Sequence, residues 1–347
     1  MKELNIFCKN LKKNFIPKSV DTKNPVHCWS EKDILDGKIV DAFVIIFRTR
    51  GCSWALKSGC TMCGYFNDST WKNVSDNDIL TQFDRAMQKY SGQKIVKIFT
   101  SGSFLDDDEI KPEVRKKILG VLSEKTDKIS VESRPEYVKD EKLSKIKEIV
   151  QPKTFEVGVG LETSNDFLRE HAINKGFTFD DYKKSAKLFK KHGFKLKTYV
   201  LIKPPFITEK QAVEDCVNTV KDIRSYTDVV SFNPTNVQHH TFVEYLWRRD
   251  QYRPPWLWSI VEILKQSKTK TDAYLKCDIT GGGSRRGAHN CPNCDHKILN
   301  LIAKFSLNQN IKVFEDLDCE CKQKWLDQID IENLTFGSIV DFLVINK

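Results

Sequence analysis

Three cysteines, Cys52, Cys60 and Cys63, lie within RTRGCSWALKSGCTMCGYF (residues 48–66) with the spacing C-x7-C-x2-C. Thiolates bind iron–sulfur clusters and zinc. Four thiolates saturate a cubane of four irons, whereas three leave one iron open to a ligand that can react. A structural zinc ion takes a closed set of four, and this loop holds no fourth cysteine and no histidine. The x2 pair can straddle one corner of a cluster while the x7 arm lets Cys52 reach another iron. The competing reading is a zinc knuckle completed from elsewhere in the chain.

A second set of thiols lies near the C-terminus. The stretch AYLKCDITGGGSRRGAHNCPNCDHK (residues 273–297) carries Cys277, Cys291 and Cys294, and DCECKQKW (residues 318–325) adds Cys319 and Cys321. In C-P-N-C the proline and asparagine turn the backbone so that both sulfurs face one ion. The best set of four for zinc is Cys291, Cys294, Cys319 and Cys321, with Cys277 or His289 as substitutes; a second iron–sulfur cluster is the alternative occupant. The intervening GGGSRRG offers glycine amides beside Arg285 and Arg286, a combination suited to an anion or RNA.

The elements that position these residues read as an alternation of strands and helices from 39 to about 235. Strand-like runs fall at 40–49, 95–101, 129–133, 155–161, 196–202 and 229–233. Helical stretches fall near 76–90, 112–124, 140–149, 164–171, 178–192 and 208–224, with Asp76, Ser164, Thr178 and Thr208 as N-caps. Six such units predict an α/β fold, a partial and open (β/α)6 barrel, with the first cysteine loop at the C-terminal end of its first strand, where such sheets place their chemistry. Residues 1–38, punctuated by Pro17, Pro25 and Gly37, read as an N-terminal extension in which Cys8, His27 and Cys28 are isolated. The barrel with its substrate-facing segment is expected over 39–270, and a small cysteine-rich zinc or RNA-binding part over 271–347.

Polar residues gather at the expected strand ends. Ser101, Gly102 and Ser103 come after the second strand and offer carbonyls and hydroxyls to an ammonium. Glu132, Ser133 and Arg134 end the third, where the arginine can pair with a carboxylate. Gly158 and Gly160 leave one face of the fourth strand bare, so a flat ligand can approach the backbone, and Glu162 can accept from ribose hydroxyls. Lys203 ends the fifth strand. Asn233, Asn236, Gln238, His239 and His240 crowd the end of the sixth. Arg253 and Trp256 come next in YRPPWLWS, which reads either as a ledge for an unpaired base or as a packed lid.

The first cysteine loop resembles the cluster loop of the radical S-adenosylmethionine (SAM) superfamily. Its x7 spacing departs from the commoner C-x3-C-x2-C and narrows the likeness to tRNA-modifying branches. Within these, RTRGCSWALKSGCTMCGYFNDS and AINKGFT (residues 172–178) are similar to the radical SAM family of archaeosine biosynthesis. The resemblance implies a [4Fe-4S] cluster on Cys52, Cys60 and Cys63, with SAM bound along 101–103, 132–134, 158–160 and Glu162. It implies a lyase acting on tRNA by way of a 5′-deoxyadenosyl radical. That enzyme would cleave the lysine carbon–nitrogen bond on a lysine-modified 7-cyano-7-deazaguanine at position 15. Lys203, Asn233, Asn236, Gln238, His240, Arg253, Trp256, Arg285 and Arg286 would then face the substrate. The implied partners are an electron donor and the lysine-transferring subunit of archaeosine synthase.

Bulk properties agree with a soluble globular chain: 347 residues, 40% hydrophobic and 30% charged. No run of 18 apolar residues exists, and residues 1–13 lack the apolar core of a signal peptide, so a cytoplasmic location without a membrane is expected. Eleven cysteines in a cytosolic chain argue for metal over disulfides. A net charge of +9 favours a polyanionic partner, although a lysine-rich proteome gives the same excess. Two other functions fit these features: a different radical SAM modification of tRNA, such as methylthiolation, and a non-enzymatic, zinc-stabilised RNA-binding module.

Overall fold

The structure is a computed structural model that describes residues 2–13, 15 and 20–334; Pro17 and the expected C-terminal region beyond 334 lie outside the described residues. In chain order, Lys2–Leu11 forms α1, His27–Leu35 β1, Lys38–Ile46 β2, Ser53–Lys57 α2, Asp76–Met87 α3 and Ile95–Phe99 β3. Then come α4 (Pro112–Lys125), β4 (Lys128–Glu132), α5 (Asp140–Val150), β5 (Thr154–Glu162), α6 (Asp166–Leu168), α7 (Phe179–His192) and β6 (Lys195–Ile202). The remainder is α8 (Glu209–Ile223), β7 (Val229–Pro234), α9 (Phe242–Trp247), α10 (Leu257–Lys268), β8 (Tyr274–Cys277), α11 (Asp295–Asn308) and α12 (Cys321–Asn333).

All eight strands form one sheet in the order β1 to β8, curled into a half-barrel. From β2 onward every pair is parallel, and β1 alone runs antiparallel to β2. The six expected strands are β2 to β7, each within a few residues of its sequence bounds. Two further strands extend the sheet at its edges, β1 from the stretch read as an extension and β8 from the stretch after 270. Neither shows an apolar run, since β1 is HCWSEKDIL and β8 has only four residues.

The reason lies in what the inner face carries. On the outer face Val96, Ile98, Ile129, Val131, Val157 and Leu196 pack into the main core. The inner face holds charge instead. Glu156 receives Lys128 at 2.6 Å and Lys197 at 2.8 Å, tying β4, β5 and β6 together. Lys97 on β3 meets Glu31 at 2.6 Å and also Asp33, both on β1, and Lys276 on β8 reaches the same Asp33. The first and last strands of the sheet are thus joined by an ion pair between side chains. Burial opposes the charge on Glu156, yet the two lysines hold its carboxyl well below the usual carboxylate range.

Helix starts obey the cap chemistry. Thr178 and Thr208 close capping boxes with Asp181 and Gln211, while Ser75 and Asn165 cap one residue away from the expected Asp76 and Ser164.

Removing Glu156 strands two lysines in a buried site. Glu156→Ala is expected to lower stability by about 3–5 kcal/mol, read as a shift in the urea unfolding midpoint at pH 7. A change under about 1 kcal/mol would mean that the lysines find water or new partners.

Candidate active site and metal centres

The chain leaves β2 into the cysteine loop, with Cys52 at the N-cap of the short helix α2. Beyond α2 the loop has little regular hydrogen bonding of its own, and distant segments hold it. Thr61 donates its amide to Ile173 O at 2.9 Å and its hydroxyl to Ala172 O at 2.7 Å, and its own carbonyl accepts from Val243 N at 3.1 Å. Asn174, in the left-handed region at φ 59°, donates from Nδ2 to Ser58 Oγ at 2.9 Å and Gly59 O at 2.8 Å. Trp54 Nε1 donates to Asn174 O at 2.8 Å. From α1, Lys12 Nζ donates to Ala55 O at 2.6 Å and also to Ser58 O. Ser58 Oγ donates to Asn5 Oδ1 at 2.5 Å.

The three thiols feel one another electrostatically, and burial pushes the Cys60 thiol upward and that of Cys63 up to about 12. A single tetrahedral ion with metal–sulfur bonds of about 2.3 Å brings its sulfurs to about 3.8 Å of one another. Among the described residues Cys52, Cys60 and Cys63 form no group with donor atoms within 4.8 Å. Three thiols with no fourth donor match the ligand set that leaves one iron of a cubane open, and they offer no closed tetrahedral site for a lone ion.

The other strand ends face this loop. Gly102 lies against it so closely that a Cβ would sit 2.7 Å from Cys52 Cα. Ser101 is half-buried, whereas Ser103 is buried, with its amide donating to Glu109 Oε2 at 2.5 Å and its hydroxyl accepting from Arg134 N at 3.1 Å. Ser133 donates to Arg134 O at 3.1 Å. The Arg134 guanidinium lies over Trp54 and Phe177, donates to Glu136 at 2.5 Å and to Lys175 O at 2.9 Å, and feels the charges of Cys52 and Cys60. Burial raises the Glu132 carboxyl, against the pull of the Tyr199 hydroxyl hydrogen-bonded to it. The bare face expected at the fourth parallel strand is filled from within. A Cβ on Gly158 would meet the Tyr199 ring at 2.8 Å, and one on Gly160 would meet Glu162 Oε1 and Lys175 Nζ at 2.8 Å. Glu162 and Lys175 pair at 2.5 Å; burial works against the Lys175 charge, and Glu162 and Cys60 outweigh it.

The residues read as facing a substrate separate into groups. Gln238 Oε1 accepts from Gly64 N at 2.5 Å and His240 Nδ1 meets Asn67 Oδ1 at 3.1 Å, so both hold the cysteine loop. Asn233 ends β7 partly buried, and Asn236 rests against Gly281. Arg286 is engaged by Val237 O at 2.9 Å, by Glu244 at 2.7 Å and by the Trp247 ring. Lys203, Arg253 and Arg285 line a cavity of about 500 Å³ together with Phe206, Trp247 and Tyr252. Within it Lys203 pairs with Glu209 at 2.5 Å and Arg253 donates to His289 O at 2.7 Å, while Arg285 is exposed. Trp256 packs in the main core and donates to Gln328 Oε1 at 2.7 Å, so YRPPWLWS turns its indoles inward and makes a packed lid.

The C-terminal thiols do converge. Cys291, Cys294, Cys319 and Cys321 have donor atoms within 4.8 Å of one another, with sulfur–sulfur distances of 3.6, 3.7 and 3.5 Å between neighbours. That is the spacing of one tetrahedral ion. Trp258 Nε1 donates to Cys321 Sγ at 3.3 Å and Asn290 Nδ2 to Cys294 Sγ at 3.7 Å, outer contacts of the kind that orient thiolate ligands. Cys277 points to Asp278 O and His289 to Gly287 O, away from this group.

Five residues of the site escape a reading of the sequence. Lys175 and Asn174 stand in AINKGFT without a distinguishing neighbour, Tyr199 and Glu109 match the pattern of an ordinary strand and turn, and Lys12 lies in the extension. The alternation along β6 was the one available signal, since it puts Tyr199 on the same face as Lys197.

Burial pushes Glu109 from 4.5 to about 7, although Thr49 and Ser103 donate to it. The folded state thus prefers the protonated acid. Its contribution to stability is intact below about 4.5 and is lost as pH rises through about 7. Thermal unfolding across this window should show Glu109→Gln gaining on the parent chain as pH rises; parallel profiles would refute the assignment.

The sequence model described as the radical SAM superfamily matches residues 46–216. The archaeosine synthase subunit beta of Methanosarcina acetivorans is 43% identical over 322 residues, covering 91% of this chain and 93% of that one. The archaeosine synthase subunit beta of Thermococcus kodakarensis is 41% identical over 305 residues, covering 86% and 94%. In fold, the chain resembles the crystal structure of methylornithine synthase with a TM-score of 0.51 at 14% identity, over 75% of this chain and 68% of that one. On these grounds the chain belongs to the radical SAM superfamily, in the family of archaeosine synthase beta subunits.

Proposed function

We propose that the chain is a radical SAM enzyme that modifies tRNA. It cleaves the side-chain carbon–nitrogen bond of a lysine attached to 7-cyano-7-deazaguanine at position 15 and leaves archaeosine. The observation that carries the reading is the placing of Cys52, Cys60 and Cys63 in the loop that follows β2 at the sheet's C-terminal end, with Cys60 in electrostatic reach of Arg134, Glu162 and Lys175. The names of the relatives supply the product. Cys52, Cys60 and Cys63 would hold a [4Fe-4S] cluster, which would supply the one-electron reduction that cleaves SAM at its C5′–S bond.

The chain's own residues hold and orient. The carbonyls and hydroxyl of 101–102 receive the SAM ammonium, and Arg134 its carboxylate. Glu132 and Glu162, which here engage Tyr199 and Lys175, would take the ribose hydroxyls, and Gly158 and Gly160 add no side chain of their own beside them. The substrate approaches past Asn233, Asn236, Arg286 and the cavity of Lys203, Arg253 and Arg285. Cys291, Cys294, Cys319 and Cys321 hold a structural zinc ion that pins α11 to α12. The lysine-transferring subunit provides the modified tRNA and an external donor the electron, in the cytoplasm. The working division keeps 39–270 as catalytic barrel, to which the stretches 1–38 and 271–347 each add one edge strand, β1 and β8, and takes 271–347 otherwise as zinc-bearing RNA contact.

Anaerobically purified protein given reductant, SAM and lysine-bearing tRNA should form 5′-deoxyadenosine and archaeosine together. SAM cleavage without archaeosine would transfer the reading to another tRNA modification. Metal analysis should return about four irons and about one zinc per chain; about eight irons would put a second cluster in the C-terminal site, and zinc alone would leave an RNA-binding module. Cys60→Ala should lose the iron and keep the zinc. Cys291→Ala should lose the zinc and unfold at a lower temperature with the iron retained.

A further inference from the structure

We propose that Lys12, contributed by the N-terminal helix and not by the barrel, is a fixed counter-charge of the iron–sulfur cluster, additional to Arg134 and Lys175, and raises its reduction potential. The inference rests on the cluster assignment above and concerns a residue that lies well outside the cysteine loop.

Lys12 is 7% exposed, an unusual place for an ammonium. Two of its three donors are taken by Ala55 O and Ser58 O, carbonyls at the end of α2, and its Nζ stands 5.1 Å from the centre of the Phe66 ring. Among the described residues no carboxylate pairs with it. The acidic groups in electrostatic reach of it are the thiols of Cys8, Cys63, Cys60 and Cys52, the last three being the cluster ligands assigned above. A buried ammonium with neutral partners only is costly, and a nearby anion offsets that cost. A cubane on three thiolates carries net negative charge and gains one more unit on reduction, so it supplies the missing anion.

The placement is specific. Gly59, the residue before Cys60, stands where any Cβ would strike Lys12 Nζ. The helix that brings Lys12 is itself anchored. Asn5 accepts from Ser58, and Phe7 stacks edge-on against Phe242 and Tyr245 with centroids 5.1 Å apart. Phe15, just beyond the helix, meets Phe66 at 5.6 Å and Trp71 at 5.5 Å. The extension therefore lies over the cysteine loop and lowers one positive charge into it. In a medium of low dielectric that charge favours the state with the added electron. The step affected is the one-electron reduction of the cluster by the external donor; no bond forms or breaks in it.

Redox titration of the reconstituted protein, followed by the paramagnetic resonance signal of the reduced cluster, tests the idea without turnover. Lys12→Met should retain about four irons and titrate at a lower potential than the parent. Lys12→Arg should stay near the parent. Asn5→Ala, which breaks the same helix's hydrogen bond to the loop and leaves the charge, should also stay near it. Equal potentials for Lys12→Met and the parent would overturn the proposal, and so would equal shifts for Lys12→Met and Asn5→Ala. If Lys12→Met holds no iron, retention by Lys12→Arg supports the charge, and loss by both shows that only the side chain's shape matters. A parent chain without any cluster would instead refute the cluster assignment itself.

Discussion

Buried backbone must be hydrogen-bonded, and the cysteine loop has little secondary structure with which to satisfy its own. This requirement organises the mouth of the sheet. Carbonyls, amides and hydroxyls between Ala55 and Gly64 find partners far away in the chain: Lys12 and Asn5 on one side, Ala172 to Asn174 on another, Gln238 and Val243 on a third. The loop's shape is therefore the sum of three independent clamps.

The two sets of thiols show how spacing selects chemistry. The C-terminal four converge to the separation of a single tetrahedral ion and receive N–H donors from Trp258 and Asn290. The loop's three form no such tight group among the described residues and have Lys12, Arg134 and Lys175 in electrostatic reach. Cationic side chains thus gather at the first set, and N–H donors from neutral side chains at the second.

Much of this was legible beforehand and some was not, for physical reasons. Strand-like apolar runs alternating with helical stretches revealed β2 to β7, and threonine caps placed α7 and α8, because helix-covered parallel strands need an apolar outer face. The cysteine spacing near the C-terminus picked out the four thiols that converge. The edge strands stayed hidden: β1 hides its alternation behind Glu31 and Asp33, and β8 is too short to show one. Gln238 and His240 read as recognition residues because a polar cluster at a strand end does not reveal whether it faces a ligand or another loop. Lys12 carried no signal, since burial of a lysine depends on tertiary contacts that local sequence does not encode. Trp256 misled in the opposite sense, as proline-flanked indoles suit a surface ledge and a packed lid equally well.

The meeting of Lys276 with Asp33 brings together the two outermost strands of a sheet that never completes its circle of backbone pairing. A seam fastened by side chains behaves differently from one fastened by a ladder. Undoing it would cost one buried ion pair and no backbone hydrogen bond, so the register of every strand is independent of whether the circle is closed.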